Sequence, residues 1–280
     1  MLMSANRSPD ARTAAFIADD VEARAFEALF DAAPRALRDR LGLRTERVAG
    51  ALLMLAPGIP DPMFNRAIGL GLVEPATPQD VQAIAARFRE AGCRNWWLHW
   101  NPHAGPAGFT AELERMGYTP PRRRSWAKML RGPVDLPSIA TDLDIAPAGP
   151  RQAGDVARVT SQAFDMPAFM VDWIQQLQGG PWRMYAVSEG DTVVGGGCLY
   201  LDGERAWLGI AGVAPSHRRR GGQGALMARR VAEAAAAGAC HIVTETGEPT
   251  TAGEANPSYD NMRRCGFMTV ASRLNYAAPA

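Results

Sequence analysis

The sequence predicts an α/β chain with a mixed sheet, built as two copies of one unit. Three observations carry that prediction. Along the second half, strand-like apolar runs and helix-like spacings alternate, so strands and helices interleave. The length of 280 residues has room for two domains, and an apolar share of 47% lets each bury a core. The halves also share landmarks in one order. Phe30-Asp31 and Pro34 answer Phe164-Asp165 and Pro167, and Val73-Glu74-Pro75 answers Val213-Ala214-Pro215. Gly92-Cys93 answers Gly238-Ala239-Cys240, and Arg115-Met116-Gly117-Tyr118 answers Arg264-Cys265-Gly266-Phe267. The offset drifts from 134 at Phe30/Phe164 to 149 at Gly117/Gly266, as small insertions would produce. Two unrelated α/β domains are the alternative.

The elements of the second half follow in order. Gly132 to Asp142 holds turn residues without periodicity and reads as a linker. It divides a first domain, 1–131, from a second, 143–280. Leu143 opens a short strand. Val156, Val159, Thr160 and Ala163 mark a helix, and a second helix runs from Ala168 to Gln178. Three strands follow, Trp182 to Ser188, Thr192 to Leu201 and Arg205 to Val213, with Gly190-Asp191 and Asp202-Gly203 as hairpin turns. A long helix ends at Gly238, and Cys240 to Glu245 is a strand. Asn256 caps a last helix with Pro257 in its first position, and Phe267 to Tyr276 forms the final strand. In the first half, Asn95-Trp-Trp-Leu-His-Trp-Asn-Pro102 alternates Trp96, Leu98 and Trp100 against Trp97 and His99. It reads as a core strand or as an aromatic wall at a ligand site.

A formal net charge of +1 gives no whole-molecule reason to expect nucleic acid or a membrane surface. Lys128 is the only lysine, so the positive charge is almost all arginine by compositional bias. The four cysteines lack a Cys-x-x-Cys pair, and Cys93, His99 and His103 lack a fourth ligand, so no metal site is expected. The polar N-terminus has no signal-peptide core, and the longest apolar run, near Ala51 to Ala56, is too short to span a bilayer. The expectation is a soluble cytoplasmic protein. Its oligomeric state is open.

The segment most informative about function is Val213-Ala-Pro-Ser-His-Arg-Arg-Arg-Gly-Gly-Gln-Gly-Ala-Leu226. It joins an apolar strand to a long helix. Glycines let backbone N–H groups approach an anion, a helix N-terminus adds partial positive charge, and Arg218, Arg219 and Arg220 add full charges. This makes a phosphate site, against the plainer reading of a solvated basic turn. The loop lacks the Gly-Lys-Ser/Thr of a P-loop and the Gly-x-Gly-x-x-Gly of a dinucleotide fold. The first half carries Ala76-Thr-Pro-Gln-Asp80 at the matching place, without glycine or arginine. There Thr77 and Asp80 are placed to cap their own helix, so that copy is not expected to bind the same anion.

The loop resembles the acetyl-CoA pyrophosphate loop of the GNAT superfamily of N-acetyltransferases. Val213, Pro215, Arg218, Gly221, Ala225 and Leu226 fall on the family pattern, and Gln223 replaces its second glycine. Asn256-Pro-Ser-Tyr-Asp-Asn-Met-Arg-Arg-Cys-Gly-Phe267 is similar to the family's last helix. The resemblance implies a tandem GNAT-like fold with acetyl-CoA as cosubstrate, without a metal, and an amine of unknown identity as acceptor. It implies cofactor contacts from Ala211, Val213, Arg218, Arg219, Arg220, Gly221, Gly222, Gln223 and Gly224, and from Asn256, Ser258 and Asn261. Backbone N–H groups near Ala211 to Val213 would polarise the thioester. The family's tyrosine acid is absent, since Met262 fills its slot. Tyr259, one turn earlier, is a stand-in acid or a packing aromatic. Glu245 and Glu248 are candidate bases or solvated glutamates, and Asp165 is an acceptor-side carboxylate or a cap. The function implied is direct acetyl transfer to an amine. The alternative is an acyl-CoA-binding module without turnover.

Overall fold

The computed structural model describes residues 9–120, 125–251 and 253–279. Its first half runs α1 (Ala11–Asp31), α2 (Arg35–Leu41), β1 (Arg44–Val48), β2 (Ala51–Leu55), β3 (Arg66–Ile68), α3 (Pro78–Glu90), β4 (Trp97–Trp100), α4 (Phe109–Arg115) and β5 (Trp126–Arg131). Its second half opens on an extra strand, β6 (Asp144–Pro147). It then repeats the same order: α5 (Ala153–Ala163), α6 (Phe169–Ile174), β7 (Trp182–Glu189), β8 (Thr192–Asp202), β9 (Arg205–Val213), α7 (Gly222–Ala236), β10 (His241–Gly247), α8 (Pro257–Arg264) and β11 (Met268–Ala277). The duplicated order expected from the landmarks is therefore present. The helix expected to reach Gln178 ends at Ile174, and single turns carry the chain on.

All strands join one mixed sheet in the order β1-β2-β3-β4-β11-β5-β10-β9-β8-β7-β6. Among the described residues two neighbouring pairs are parallel, β3 with β4 and β9 with β10, at matching places in the two copies. The last strands cross over. β5, from the first half, lies between β10 and β11, and β11 lies between β5 and β4. Each copy thus closes its sheet on the other copy's final strand.

Alternation sorts side chains onto the two faces. Leu52, Met54, Cys198, Tyr200 and Trp207 pack under α1, α5 and α6. On the other face, Leu199, Ala206 and Leu208 pack under α7 and α8, and Leu53, Leu55, Leu98 and Trp100 pack under α3 and α4. Trp96 stacks on Phe88 with ring centroids 4.3 Å apart, so the tryptophan-rich segment is a core strand.

Where the strands cross, the α1 face of the sheet is charged rather than apolar. Glu22 on α1 accepts hydrogen bonds from Lys128 on β5 and Arg273 on β11. Lys128 and Arg273 also bind Glu245 on β10, the latter at 3.0 Å. Asp19, one turn before Glu22, takes Asn101 Nδ2 at 2.7 Å. These side chains are almost wholly buried. Burial alone would push the Glu22 carboxyl up, but Arg273 and Lys128 outweigh it and hold it far below the usual carboxylate range. Burial raises Asp19. Burial, with Arg273, Arg66 and Lys128 nearby, keeps His99 well below its ordinary value and hence neutral at pH 7. No helix among the described residues is long and apolar enough to cross a membrane.

Because Glu22 is shared by two buried cations, Glu22→Gln is expected to cost about 3 kcal/mol in urea unfolding. Breaking the exposed pair Arg35–Asp39 with Arg35→Ala is expected to cost no more than about 0.5 kcal/mol. The depressed carboxyl sets the sign with pH. Its stabilisation is complete above the ordinary value of 4.5 and is lost as pH falls toward the folded-state value, so Glu22→Gln should flatten the acid limb of the stability profile.

Candidate functional site

Two strands that start as neighbours and then separate make the site. β9 and β10 pair only from Arg205/His241 to Leu208/Thr244, where Thr244 Oγ1 donates to Leu208 O at 2.9 Å. Beyond that point β9 runs on to Val213 and β10 to Gly247 without pairing to each other. The same stretch of β9 bulges. Gly196 faces Gly212 and Cys198 faces Gly209, so Ile210 and Ala211 together oppose Gly197. Ile210 has φ of +49°, which costs a β-branched residue about 1–3 kcal/mol. Ala211, Gly212 and Val213 line one wall of a cavity of about 580 Å³.

The loop and α7 make the next wall. After a tight turn at Pro215–His217, Arg219 (φ +65°) and Gly221 (φ +79°) both adopt the left-handed conformation. Gly221 caps α7, with no side chain bonded to the helix N-terminus and no acid in its first turn. The first helical bond runs from Ala225 N to Gly221 O, so the N–H groups of Gly222, Gln223 and Gly224 have no partner within the helix. All three residues line the cavity, as do Arg218 and Arg219. An uncapped N-terminus beside two arginines has the charge and the free donors to receive an anion.

The matching helix of the first copy is closed. Thr77 Oγ1 accepts from Asp80 N at 3.3 Å, and Asp80 Oδ2 accepts from Thr77 N at 2.9 Å, forming a capping box.

The far wall is one face of α8. Ser258, Asn261, Arg264 and Cys265 line the cavity at three- and four-residue spacing, with Pro257 beside them. The half-exposed Phe164 and Ala163, at the end of α5, line it too, and so does Ile139 of the linker. The linker holds the loop: Thr141 Oγ1 donates to Arg220 O at 2.8 Å, and a Cβ on Gly221 would lie 2.1 Å from Ala140 O.

Of the expected cofactor residues, Ala211, Val213, Arg218, Arg219, Gly221, Gly222, Gln223, Gly224, Ser258 and Asn261 meet at this cavity. Six candidate site residues, Arg220, Asn256, Tyr259, Glu245, Glu248 and Asp165, do not. Arg220 turns out to Asp142 and Glu189, at 2.6 and 2.7 Å. Asn256 spends both ends of its side chain locally, accepting from Tyr259 N and donating to Gly247 O. Tyr259 Oη pairs with Thr269 Oγ1 at 3.0 Å, and the residue packs against the α7–α8 core and lines a separate cavity with Glu248 and Asp260. Glu245 lies in the charged cluster between Lys128 and Arg273. Glu248 is held by Ser125 and Ser272, and Met262 is buried in the α7–α8 core. Arg264 was legible from its helical spacing to Asn261, whereas Ile139 and Phe164 reach the cavity only through tertiary packing. Among the described residues, no His, Cys, Asp and Glu group could hold a metal ion.

The arginines are therefore unequal. In calorimetric titration with CoA, Arg218→Ala is expected to weaken binding about tenfold or more, the worth of one charge-assisted contact. Arg220→Ala, already paired with carboxylates, should change it by no more than about threefold. Equal losses would remove this distinction.

Comparison with known proteins fits this geometry. Residues 155–267 match the model of the acetyltransferase (GNAT) family. The comparison with curated proteins finds no match. Among solved structures, a GCN5-related N-acetyltransferase from Kribbella flavida is similar, at a TM-score of 0.66 and 17% identity over 94% of this chain and 96% of that one. A tandem GNAT protein from the clavulanic acid biosynthesis pathway gives 0.58 and 16% over 81% of this chain and 78% of that one. A GCN5-related N-acetyltransferase from Sphaerobacter thermophilus gives 0.57 and 17% over 97% and 94%. At these identities the structures show the fold, a tandem GNAT fold, and the family model matches the segment that supplies most of the cavity lining: residues 155–267 are similar to a GNAT-family acetyltransferase domain.

Proposed function

We propose that the protein is an N-acetyltransferase that moves the acetyl group of acetyl-CoA directly to an amine. The observation that carries this reading is the continuity of one cavity. It runs from the open N-terminus of α7, with Arg218 and Arg219, to the bulged backbone at Ala211. The first end suits a pyrophosphate, and the second suits a thioester carbonyl. Ser258, Asn261 and Arg264 supply polar groups along the arm between them.

In this reaction the amine nitrogen attacks the carbonyl carbon, a C–N bond forms and the C–S bond breaks. The acetyl group goes to the amine and the sulfur leaves as thiolate. Backbone N–H groups of the bulge stabilise the oxyanion of the intermediate. The amine loses one proton and the thiolate gains one. Tyr259 and Glu245, whose polar ends are engaged elsewhere, serve neither step in this reading, and water carries both protons. The second half holds the acetyl-CoA, and the first copy, with its capped α3, holds none.

A second reading, an acyl-CoA-binding module without turnover, draws on the same facts: Met262 stands in the family's acid slot, and no carboxylate lines the cavity among the described residues. Free thiol release from acetyl-CoA separates the two. The enzyme reading expects release that depends on a member of a panel of polyamines, amino acids, aminoglycosides and peptide N-termini. Tight binding with no release across the panel favours the module. Under the enzyme reading Tyr259→Phe is expected to keep turnover within about twofold of the parent. A loss of about a hundredfold in kcat would restore it as the acid.

A further inference from the structure

The bulge in β9 is contacted from within by a buried cation on α7. We propose that Arg230, on α7, is a positioning residue for acyl transfer: it fixes the shape of the bulge and so the backbone that meets the thioester carbonyl. This rests on the acetyl-CoA reading above.

A bulge breaks a ladder, and buried carbonyls that lose their strand partners need others. At this bulge Arg230 donates to two backbone carbonyls. Its Nη1 donates to Cys198 O at 2.9 Å and to Gly209 O at 3.2 Å, the two residues that face each other where the register slips. Its Nε donates to Leu226 O, one turn back on its own helix, at 3.3 Å. The guanidinium thus ties β8, β9 and the cofactor-loop helix together at one point. Arg230 is 1% exposed and forms no ion pair among the described residues. Burial brings it down to about 10, so it is still a cation at neutral pH.

Gly197 is shaped to the same arrangement. A Cβ there would lie 2.7 Å from Ala211 Cβ and 3.0 Å from Arg230 Nη1. The glycine opposite the bulge therefore leaves room for the bulged residue and the guanidinium at once. Ile210, at positive φ, is the strained member, and the Arg230 bonds to Gly209 O beside it and to Cys198 O on the facing strand brace it, while the bond to Leu226 O fixes the guanidinium to α7. An apolar residue at position 230 would leave Cys198 O and Gly209 O without these donors, and the strand could relax toward a regular ladder. Arg230 does not line the cavity, so its effect reaches the substrate through the position of Ala211 and Gly212.

The experiment compares the full-length protein with Arg230→Lys, Arg230→Met and Gly197→Ala. The readouts are steady-state kinetics and the infrared carbonyl band of bound [1-13C]acetyl-CoA. Arg230→Met is expected to lower kcat about a hundredfold, as removal of an oxyanion donor does, with KM for acetyl-CoA within about threefold. Arg230→Lys, which keeps the charge and part of the bonding, should recover about tenfold of that loss. In both, the carbonyl band should shift toward its frequency in free acetyl-CoA. If Arg230→Met does not fold, Arg230→Lys and Gly197→Ala carry the test. Folded variants with unchanged kcat and an unmoved band would overturn the role of Arg230 alone. A parent protein that does not bind acetyl-CoA would overturn the cofactor reading and this proposal with it. Binding without turnover would leave the band to decide.

Discussion

The structure depends on the ion cluster at the crossing of the two terminal strands. β5 and β11 each complete the other copy's sheet, so neither half can close its sheet alone. Glu22 reaches from α1 to Lys128 and Arg273, one on each exchanged strand, and Glu245 meets the same pair from β10. An apolar seam would hold by area alone and tolerate slippage. A charged seam penalises every register in which one buried ion loses its partner. The single lysine of the chain sits here, wholly buried, in a protein that otherwise uses arginine. The cluster also accounts for Glu245, which serves the join between the copies and lies outside the cavity at α7.

With the copies fixed in one sheet, their differences decide where chemistry can occur. Both have a parallel strand pair joined by a helix, as the fold requires. In the first copy that helix begins on a capping box, and its N-terminal donors are partly spent on Thr77 and Asp80. In the second it begins on Gly221, with arginines before it and glycines within its first turn. The strand before it bulges at Ile210, and the linker braces the loop through Ala140 and Thr141. The duplicated architecture thus carries one helix N-terminus left open and one closed by its own side chains.

Much of this was legible in the sequence because it depends on local chemistry. Strand alternation, the Asn256 cap, the Thr77/Asp80 box and the glycines of the loop each act within a few residues, and each lies where expected. The tryptophan-rich strand followed its alternation into the core. Features set by distant residues were not legible. The crossing of β5 and β11 leaves no mark in either strand, and Lys128 reads as one charge in a strand until Glu22, 106 positions away, is brought to it. Glu245 is placed by sequence at the end of the strand after the long helix and Tyr259 one turn before Met262, and neighbours on other elements claim both. Arg220 looked equivalent to Arg218 because nothing local shows that Asp142 and Glu189 stand beside it.

The central claim is that a duplicated fold holds one acyl-CoA, at the open helix of the second copy. Its most direct measurement is the stoichiometry of CoA binding to the full chain by calorimetry, with the parent protein and Gly221→Ala. The account predicts one CoA per chain, and loss of that single site when the Cβ at position 221 is driven against Ala140. Two CoA per chain, or one site that survives Gly221→Ala unchanged, would contradict it.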